Sequence, residues 1–529
     1  MKMINLLIIV PLLFACSERE ILAPPPPTPP PSYALTVDLS DEQQTIHSFG
    51  ASDCWTAKFI GDWTDEAKKN RVADLLFSTD TLNNGSPEGI GLSLWRFNIG
   101  AGSFEQGEES MIRDEWRREE SFQDASGNYD WSKQSGQQWF LQAARQRGID
   151  YTLGFSISAP VHMTKNGKAF SPGGDALNIE ADKMEEFATF LADVAAHFQF
   201  DYLSPVNEPQ WAWKAGDEGT ASQEGTPAQN QEIATLARLL SPQLAEKSPT
   251  TQVTVAEAAQ LDFLYGRNDS GRGNQIERFF DASSDLYLGD LPQVAPVLAA
   301  HSYFTTCPND NLISVRQQVV AQVRQADVPL DIWQTEFGIL GNICDQYSGY
   351  PRNTSMDYGL YVAKVLHHDL AITNVTSWQW WLAMSPYDYS DALVYIDAPG
   401  GGINVENSKD DGEVLDSKQL WSFGNFARFV RPGMVRVGAT LESLEQPIKA
   451  AGSHMVTAYK DPEAKRLVLV FVNVSTNETT LPVGGVNIVG NRFNVYTTSG
   501  EKNLEKSVVT ADSLTLEPRS VMTFVGRYE

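Results

Sequence analysis

The chain is poor in cysteine, poor in histidine and short of positive charge. Four cysteines in 529 residues, at positions 16, 54, 307 and 344, are too few for a disulfide-built scaffold. The seven histidines form no His-x-His pair on the first strand-like run, which speaks against a barrel hydrolase built around a metal. No metal or cofactor is expected. No Gly-x-Ser-x-Gly elbow is present, so a serine hydrolase is disfavoured. Lys and Arg number 40 against 67 Asp and Glu, a formal net charge of −27, which would repel phosphate backbones and speaks against a nucleic-acid partner. Beyond the first fifteen residues no apolar run approaches the ~20 residues that a spanning helix needs. What is present is a chain with 42% hydrophobic residues, enough to bury a large core in one or two domains and expected to act as a monomer.

The N-terminal stretch runs from Lys2 through the apolar segment Ile4 to Ala15 and then reaches Cys16, preceded by Leu13-Phe14-Ala15. This is the pattern of a bacterial lipoprotein signal, cleaved before a cysteine whose acyl chains then hold the protein to a membrane. An ordinary secretory signal or a short anchor helix is the competing reading. Prolines fill positions 24–31 except for Thr28; such a run adopts extended polyproline II and acts as a stiff spacer. The expected organisation is a signal and lipidation site over 1–16, a linker over 17–32, a strand over 33–47, a barrel over 48–432 and a β-sandwich over 433–529. The protein is expected to be exported and lipid-anchored at a bacterial outer membrane or cell surface, with the side of the membrane left open.

Strand-like runs rich in β-branched and aromatic residues recur at 48–52, 92–99, 151–157, 202–206, 252–256, 297–303, 330–335 and 375–381. Between them lie segments such as 183–197 and 356–370, whose apolar residues repeat at helical spacing. Eight alternating units of roughly 45 residues predict an α/β fold, a (β/α)8 TIM barrel. A doubly wound sheet is disfavoured, because no glycine-rich phosphate fingerprint follows the first strand. After a helix near 421–430 the pattern changes to short alternating strands at 455–459, 466–474, 493–498 and 520–525. They predict an attached antiparallel β-sandwich, which the segment 33–46 is placed to join.

Active sites of such barrels lie at the C-terminal ends of the strands. The fourth strand ends in Asn207-Glu208-Pro209 and the seventh in Thr335-Glu336-Phe337-Gly338. Two carboxyl groups facing one mouth are what a retaining glycosidase requires, one to protonate the leaving oxygen and one to attack the anomeric carbon. Taken singly, each glutamate reads equally well as a surface or salt-bridging carboxylate; together, at the ends of strands four and seven, they read as a catalytic pair. A surface glycan-binding lipoprotein that does not cut its ligand is the reading from another class.

These residues resemble the retaining (β/α)8 glycosidases and, within them, glycoside hydrolase family 30. The likeness runs from Phe49-Gly50-Ala51-Ser52 to Phe426-Ala427-Arg428-Phe429-Val430-Arg431-Pro432-Gly433. The endo-β-1,6-galactanases are the most similar, through Leu94-Trp95-Arg96-Phe97-Asn98, Asn207-Glu208-Pro209-Gln210-Trp211, Gln223-Glu224-Gly225 and Trp378-Gln379-Trp380-Trp381. The resemblance implies Glu208 as general acid and base and Glu336 as nucleophile. It also implies Asn207 as a contact for the sugar 2-hydroxyl, Arg96 as a partner of Glu336, and Tyr303 with His301 as its neighbours. Asp53 and Trp55 resemble the family's pair for the terminal sugar. Trp378 or Trp380 is expected to be the platform beneath the sugar, with Trp381 in the core. Trp211, Trp213 and Glu224 lie in a long loop after the fourth strand that is expected to wall a cleft, Trp211 ahead of Trp213. Cys307 and Cys344 follow neighbouring strands and are the pair placed for a disulfide if one forms, a free buried pair being the alternative. The implied substrate is a polysaccharide or oligosaccharide, above all the β-1,6-galactan side chains of arabinogalactan, with β-1,6-glucan, glucuronoxylan and glucosylceramide as alternatives. His162 stands where the family often has tryptophan.

Overall fold

The computed structural model describes residues 33–267, 271–341, 344 and 346–529. The lipidation signal at Cys16 and the proline spacer lie outside the described residues. Strand β1 (Leu35–Thr45) comes first. It is followed by eight parallel strands, β2 (Ser48–Ser52), β3 (Leu94–Ile99), β4 (Tyr151–Ser156), β5 (Tyr202–Ser204), β6 (Gln252–Ala258), β7 (Val294–His301), β8 (Asp331–Phe337) and β9 (Ser377–Ser385). Each pairs with the next, and β9 pairs with both β8 and β2, so the sheet closes into a barrel. The strands are short and almost continuously apolar because both of their faces are covered. All six residues of β3 are buried, for example.

Helices such as Met184–Phe198 and Met356–His368 pack around the outside. Two short strands, β10 (Ala392–Asp397) and β11 (Glu413–Leu415), extend the sheet beyond β9; the sequence pattern did not suggest them. Among the described residues no helix is long and apolar enough to cross a membrane.

The second sheet contains β1 together with β12 (Val435–Leu441), β13 (His454–Asp461), β14 (Arg466–Asn473), β15 (Thr479–Gly484), β16 (Arg492–Thr498), β17 (Glu505–Thr510), β18 (Ser513–Leu516) and β19 (Ser520–Arg527). Its order is β17-β16-β19-β14-β13-β12-β1-β15-β18. The segment before the barrel does join it, with Leu35 opposite Leu441 and Thr45 opposite Val435. The sheet is antiparallel as expected apart from one pairing, in which β1 and β15 run parallel. Residues such as Val37, Phe471, Phe493 and Phe524 form a core belonging to this sheet alone. Asn425, on the helix Lys418–Ala427, joins it to the barrel by donating to the Tyr496 carbonyl and to Thr523 Oγ1, both at 3.0 Å.

Candidate active site

Three strand ends deliver three glutamates to one point, and each departs from regular strand geometry to do so. Glu208 follows the short β5 and sits at φ +46°. Its amide donates to the Glu257 carbonyl at 3.1 Å, and its own carbonyl accepts from the Trp211 amide at 3.2 Å and from Trp213 Nε1 at 3.0 Å. Glu257 lies near the end of β6, where Ala256 and Glu257 take φ +80° and +40° and the pairing with β7 slips between Val255 and Ala258. Glu336 lies on β8, whose pairing with β9 slips between Gln334 and Phe337. Such irregularities re-aim a side chain that the two-residue strand period would otherwise send elsewhere.

The carboxyl groups meet around two cations. Arg96 donates to Glu336 Oε2 at 2.7 Å, and to Asn207 Oδ1 and Glu257 Oε1 at 2.9 Å. Its guanidinium lies over the Phe155 ring, 3.7 Å from the centroid. His301 bridges Glu208 Oε1 through Nδ1 at 2.9 Å and Glu257 Oε1 through Nε2 at 3.2 Å. Tyr303 Oη donates to Glu336 Oε1 at 3.1 Å, and Ser204 Oγ to Glu257 at 2.8 Å. One carboxylate oxygen each of Glu208 and Glu336 and one nitrogen of His301 all lie within 4.8 Å of one another. Glu208 shows 8% of its side chain to solvent and Glu336 shows 4%.

Burial raises the Glu208 carboxyl above its ordinary range, against the lowering effect of His301. Burial acts the same way on Glu257, but Arg96 and His301 outweigh it and hold that group down at about 2. Burial opposes charge on His301 as well, yet the surrounding carboxylates lift it to about 10. Among these groups Glu257 is the carboxyl held ionised by Arg96 and His301, and Glu208 is the one that burial pushes toward its protonated form. A carboxyl favoured in its protonated form beside a carboxylate ion-paired to Arg96 offers a proton donor and a separate nucleophile at one point.

The other expected residues divide. Asp53 is fully buried, accepts from the Asn98 amide through Oδ1 at 2.8 Å, and has no protein partner at Oδ2. Trp55 also has an unpartnered Nε1; its ring meets Trp381 edge-on at 5.3 Å and lies under the Arg117 guanidinium at 4.8 Å. On β9 the expected faces are reversed. Trp378 and Trp380 are fully buried, Trp378 packing on Phe423 of the outer helix at 5.1 Å, with their Nε1 atoms donating to Asp369 and to the Asp391 carbonyl. Trp381 is the one grouped with Trp55, Phe155 and Trp333 in the barrel interior.

Trp211 is half-buried, and Trp213 is a strut whose ring packs on Gly225. Glu224 does not wall a cleft. It is fully buried, and it ties down the loop after β3 by accepting from the Ala101 amide at 3.1 Å, the Ser103 amide at 3.3 Å and Ser103 Oγ at 2.6 Å. Cys307 and Cys344, the pair for a possible disulfide, line one recess and are not bridged to each other. Glu257 escaped the sequence reading, although a glutamate near a third strand end was a signal of the same kind as the two that were read.

A family model described as O-glycosyl hydrolase family 30 matches residues 32–395. An endo-β-1,6-galactanase of Hypocrea rufa is 26% identical over 268 residues, covering 46% of this chain and 54% of that protein. The chain thus spans about half the length of the curated relative it matches. Among solved structures, a conserved exported protein from Bacteroides fragilis superposes with a TM-score of 0.86 at 30% identity, over 93% of this chain and 100% of that one. The catalytic domain of a family 30 xylanase C from Talaromyces cellulolyticus shares the fold, with a TM-score of 0.66 at 20% identity, over 93% of this chain and 99% of that one.

Proposed function

The chain belongs to O-glycosyl hydrolase family 30, and from that premise we propose that it cleaves a β-linked polysaccharide with retention of anomeric configuration, acting on β-1,6-galactan. The observation that carries the mechanism is the pairing of Glu208 and Glu336, whose nearest oxygens lie within 4.8 Å. Retaining glycosidases hold their carboxyl groups about 5–5.5 Å apart, whereas inverting ones need wider spacing to admit a water. In the first step Glu336 attacks the anomeric carbon while Glu208 passes its proton to the departing glycosidic oxygen. In the second, Glu208 takes a proton from water as that water displaces Glu336, which restores both groups.

In this reading Arg96 and Tyr303 orient the nucleophile, and Asn207 meets the sugar 2-hydroxyl. Asp53 Oδ2 and Trp55 Nε1, buried without protein partners, are suited to a sugar's hydroxyls, and Trp381 replaces Trp378 and Trp380 as the platform. The galactan assignment is supported by the Hypocrea rufa likeness. Export is supported by the description of the Bacteroides fragilis protein, and the anchor by the sequence before Cys16.

The test is a panel of β-1,6-galactan, β-1,6-glucan and xylan, with products sized and their anomers followed by NMR. Release of the β-anomer first, from galactan above the others, is the expected result. First release of the α-anomer defeats the mechanism, and preference for another polymer defeats the substrate.

A further inference from the structure

Phe304, directly after Tyr303, is 53% exposed and sits at φ +58°. A large apolar ring shown to water on a left-handed residue carries two costs, and such positions persist where the surroundings over-determine them. Here they do. Thr305 Oγ1 donates to the Ser302 carbonyl at 2.9 Å. The fully buried Arg316 donates to the Thr305 carbonyl at 2.8 Å and is ion-paired with Asp369 at 2.7 Å. The turn that presents Phe304 is therefore rigid, and the ring is held ready rather than left over.

Phe304 is also not alone. The Trp211 ring meets it nearly at right angles, with centroids 6.0 Å apart, and rests in turn on the buried Phe263 at 6.4 Å. Exposed apolar side chains scattered singly need no explanation; two adjoining rings beside a reactive centre do. Trp211 is tied to Glu208 by its amide, and Phe304 adjoins the tyrosine that donates to Glu336. These rings follow β5 and β7, whereas Trp55 follows β2 and Trp381 lies on β9, on the opposite side of the barrel mouth.

Resting on the glycosidase reading above, we propose that Trp211 and Phe304 form a binding shelf for the uncharged hexopyranose on the leaving-group side of the scissile bond. An acid must stand beside the oxygen it protonates, and Glu208 comes from the same β5 end as Trp211, so the shelf lies where the departing sugar must go. Its chemistry fits, since a β-galactopyranose presents a contiguous patch of C3, C4 and C5 hydrogens on one face, suited to an aromatic ring. With the opposite side taken by Asp53, Trp55 and Trp381, a chain bound across both sides is cut internally.

The test compares Phe304→Ala and Phe304→Tyr with the parent enzyme on two substrates sharing one glycone: a β-1,6-galactotetraose, and the β-fluoride of the disaccharide, which has no leaving-side sugar. The expected result is a fall in kcat/KM on the tetraose at least tenfold larger than on the fluoride for Phe304→Ala, with Phe304→Tyr close to parent. Equal losses on the two substrates, or no loss on either, overturn the shelf while leaving the glycosidase reading intact. A parent enzyme that turns over neither substrate overturns the galactosidase reading and the shelf together.

Discussion

The amide of Glu208 donates to the carbonyl of Glu257 at 3.1 Å, and both residues occupy the left-handed region of backbone space. Two strained residues on neighbouring strands thus support one another, and His301 joins their side chains on the far side of the same link. The position of Glu208, the proposed proton donor, is set by this double connection more than by β5, which is only three residues long.

Glu257 is accordingly predicted to be a positioning residue for the acid. In Glu257→Gln the imidazolium loses the carboxylate on its Nε2. The His301 titration, now raised to about 10, should move down by a unit or more, and the alkaline limb of kcat/KM should move with it. Ring NMR shifts and a pH–rate profile check this. A loss of activity with both curves in place would leave Glu257 a merely structural role.

Replacing the proposed nucleophile, Glu336→Gln, should lower kcat by ~10³-fold or more. Glu208→Ala should fail on galactan but retain turnover of a galactosyl fluoride, whose leaving group needs no proton. Azide should accelerate that variant and yield a β-glycosyl azide, seen by NMR. An α-azide, or full activity of Glu336→Gln on galactan, would falsify the assignments.

The tryptophans of β9 offer a clean contrast. Trp381→Ala should reduce kcat/KM of the folded enzyme by ~10-fold or more, whatever stability the loss of this buried ring also costs. Trp378→Ala should instead cost about 3–5 kcal/mol of stability, because it empties a packed position. Urea unfolding beside kinetics separates the two, and the opposite pattern would return the platform to Trp378.

Stability should decline as pH rises. Burial lifts Glu119 to about 7 and Glu224 to about 8, while His301 stands at about 10. Each folded-state value lies above its unfolded one, so each contribution is complete below the unfolded pKa, about 4.5 for the acids and 6.5 for the histidine, and fades as pH rises through the folded pKa. The lowered Glu257 acts oppositely between about 2 and 4.5. His47 and His368, which burial holds down at about 4, act oppositely as pH rises toward 6.5, so the decline is the net of the two and is steepest above 6.5. Calorimetry should therefore find a melting temperature lower by ~5 °C or more at pH 9 than at pH 5.5. A flat or rising curve over that window contradicts these burial effects.

Cys16→Ser should abolish acylation and move the protein from the membrane fraction to the soluble one. Fractionation after labelling with a fatty-acid probe measures this, and unchanged membrane association would rule out the anchor.

The barrel was legible because strands covered on both faces leave short apolar runs that helical segments cannot imitate. Glu208 and Glu336 were legible because a carboxylate closing such a run has few other reasons to be there. Glu257 was missed where the reading stopped the strand at Ala256, since the slip in register that turns it inward leaves no trace in a two-residue period. The same limit reversed β9: alternation pairs Trp378 with Trp380 against Trp381, but only closure of the ring decides which side is inside. Glu224 read as a loop acid because its donors, at positions 101 and 103, are distant in sequence. The polar, exposed β17 and the proline-bearing β15 fell below any apolar pattern.

The pairing of β1 with β12 has a consequence for the order of assembly. Thr45 and Val435 face each other across about 390 intervening positions, so a ribosome must complete the whole barrel before the first strand meets its neighbour. Until then β1 is an open edge, and a nascent chain paused anywhere in the barrel remains an unfinished thread.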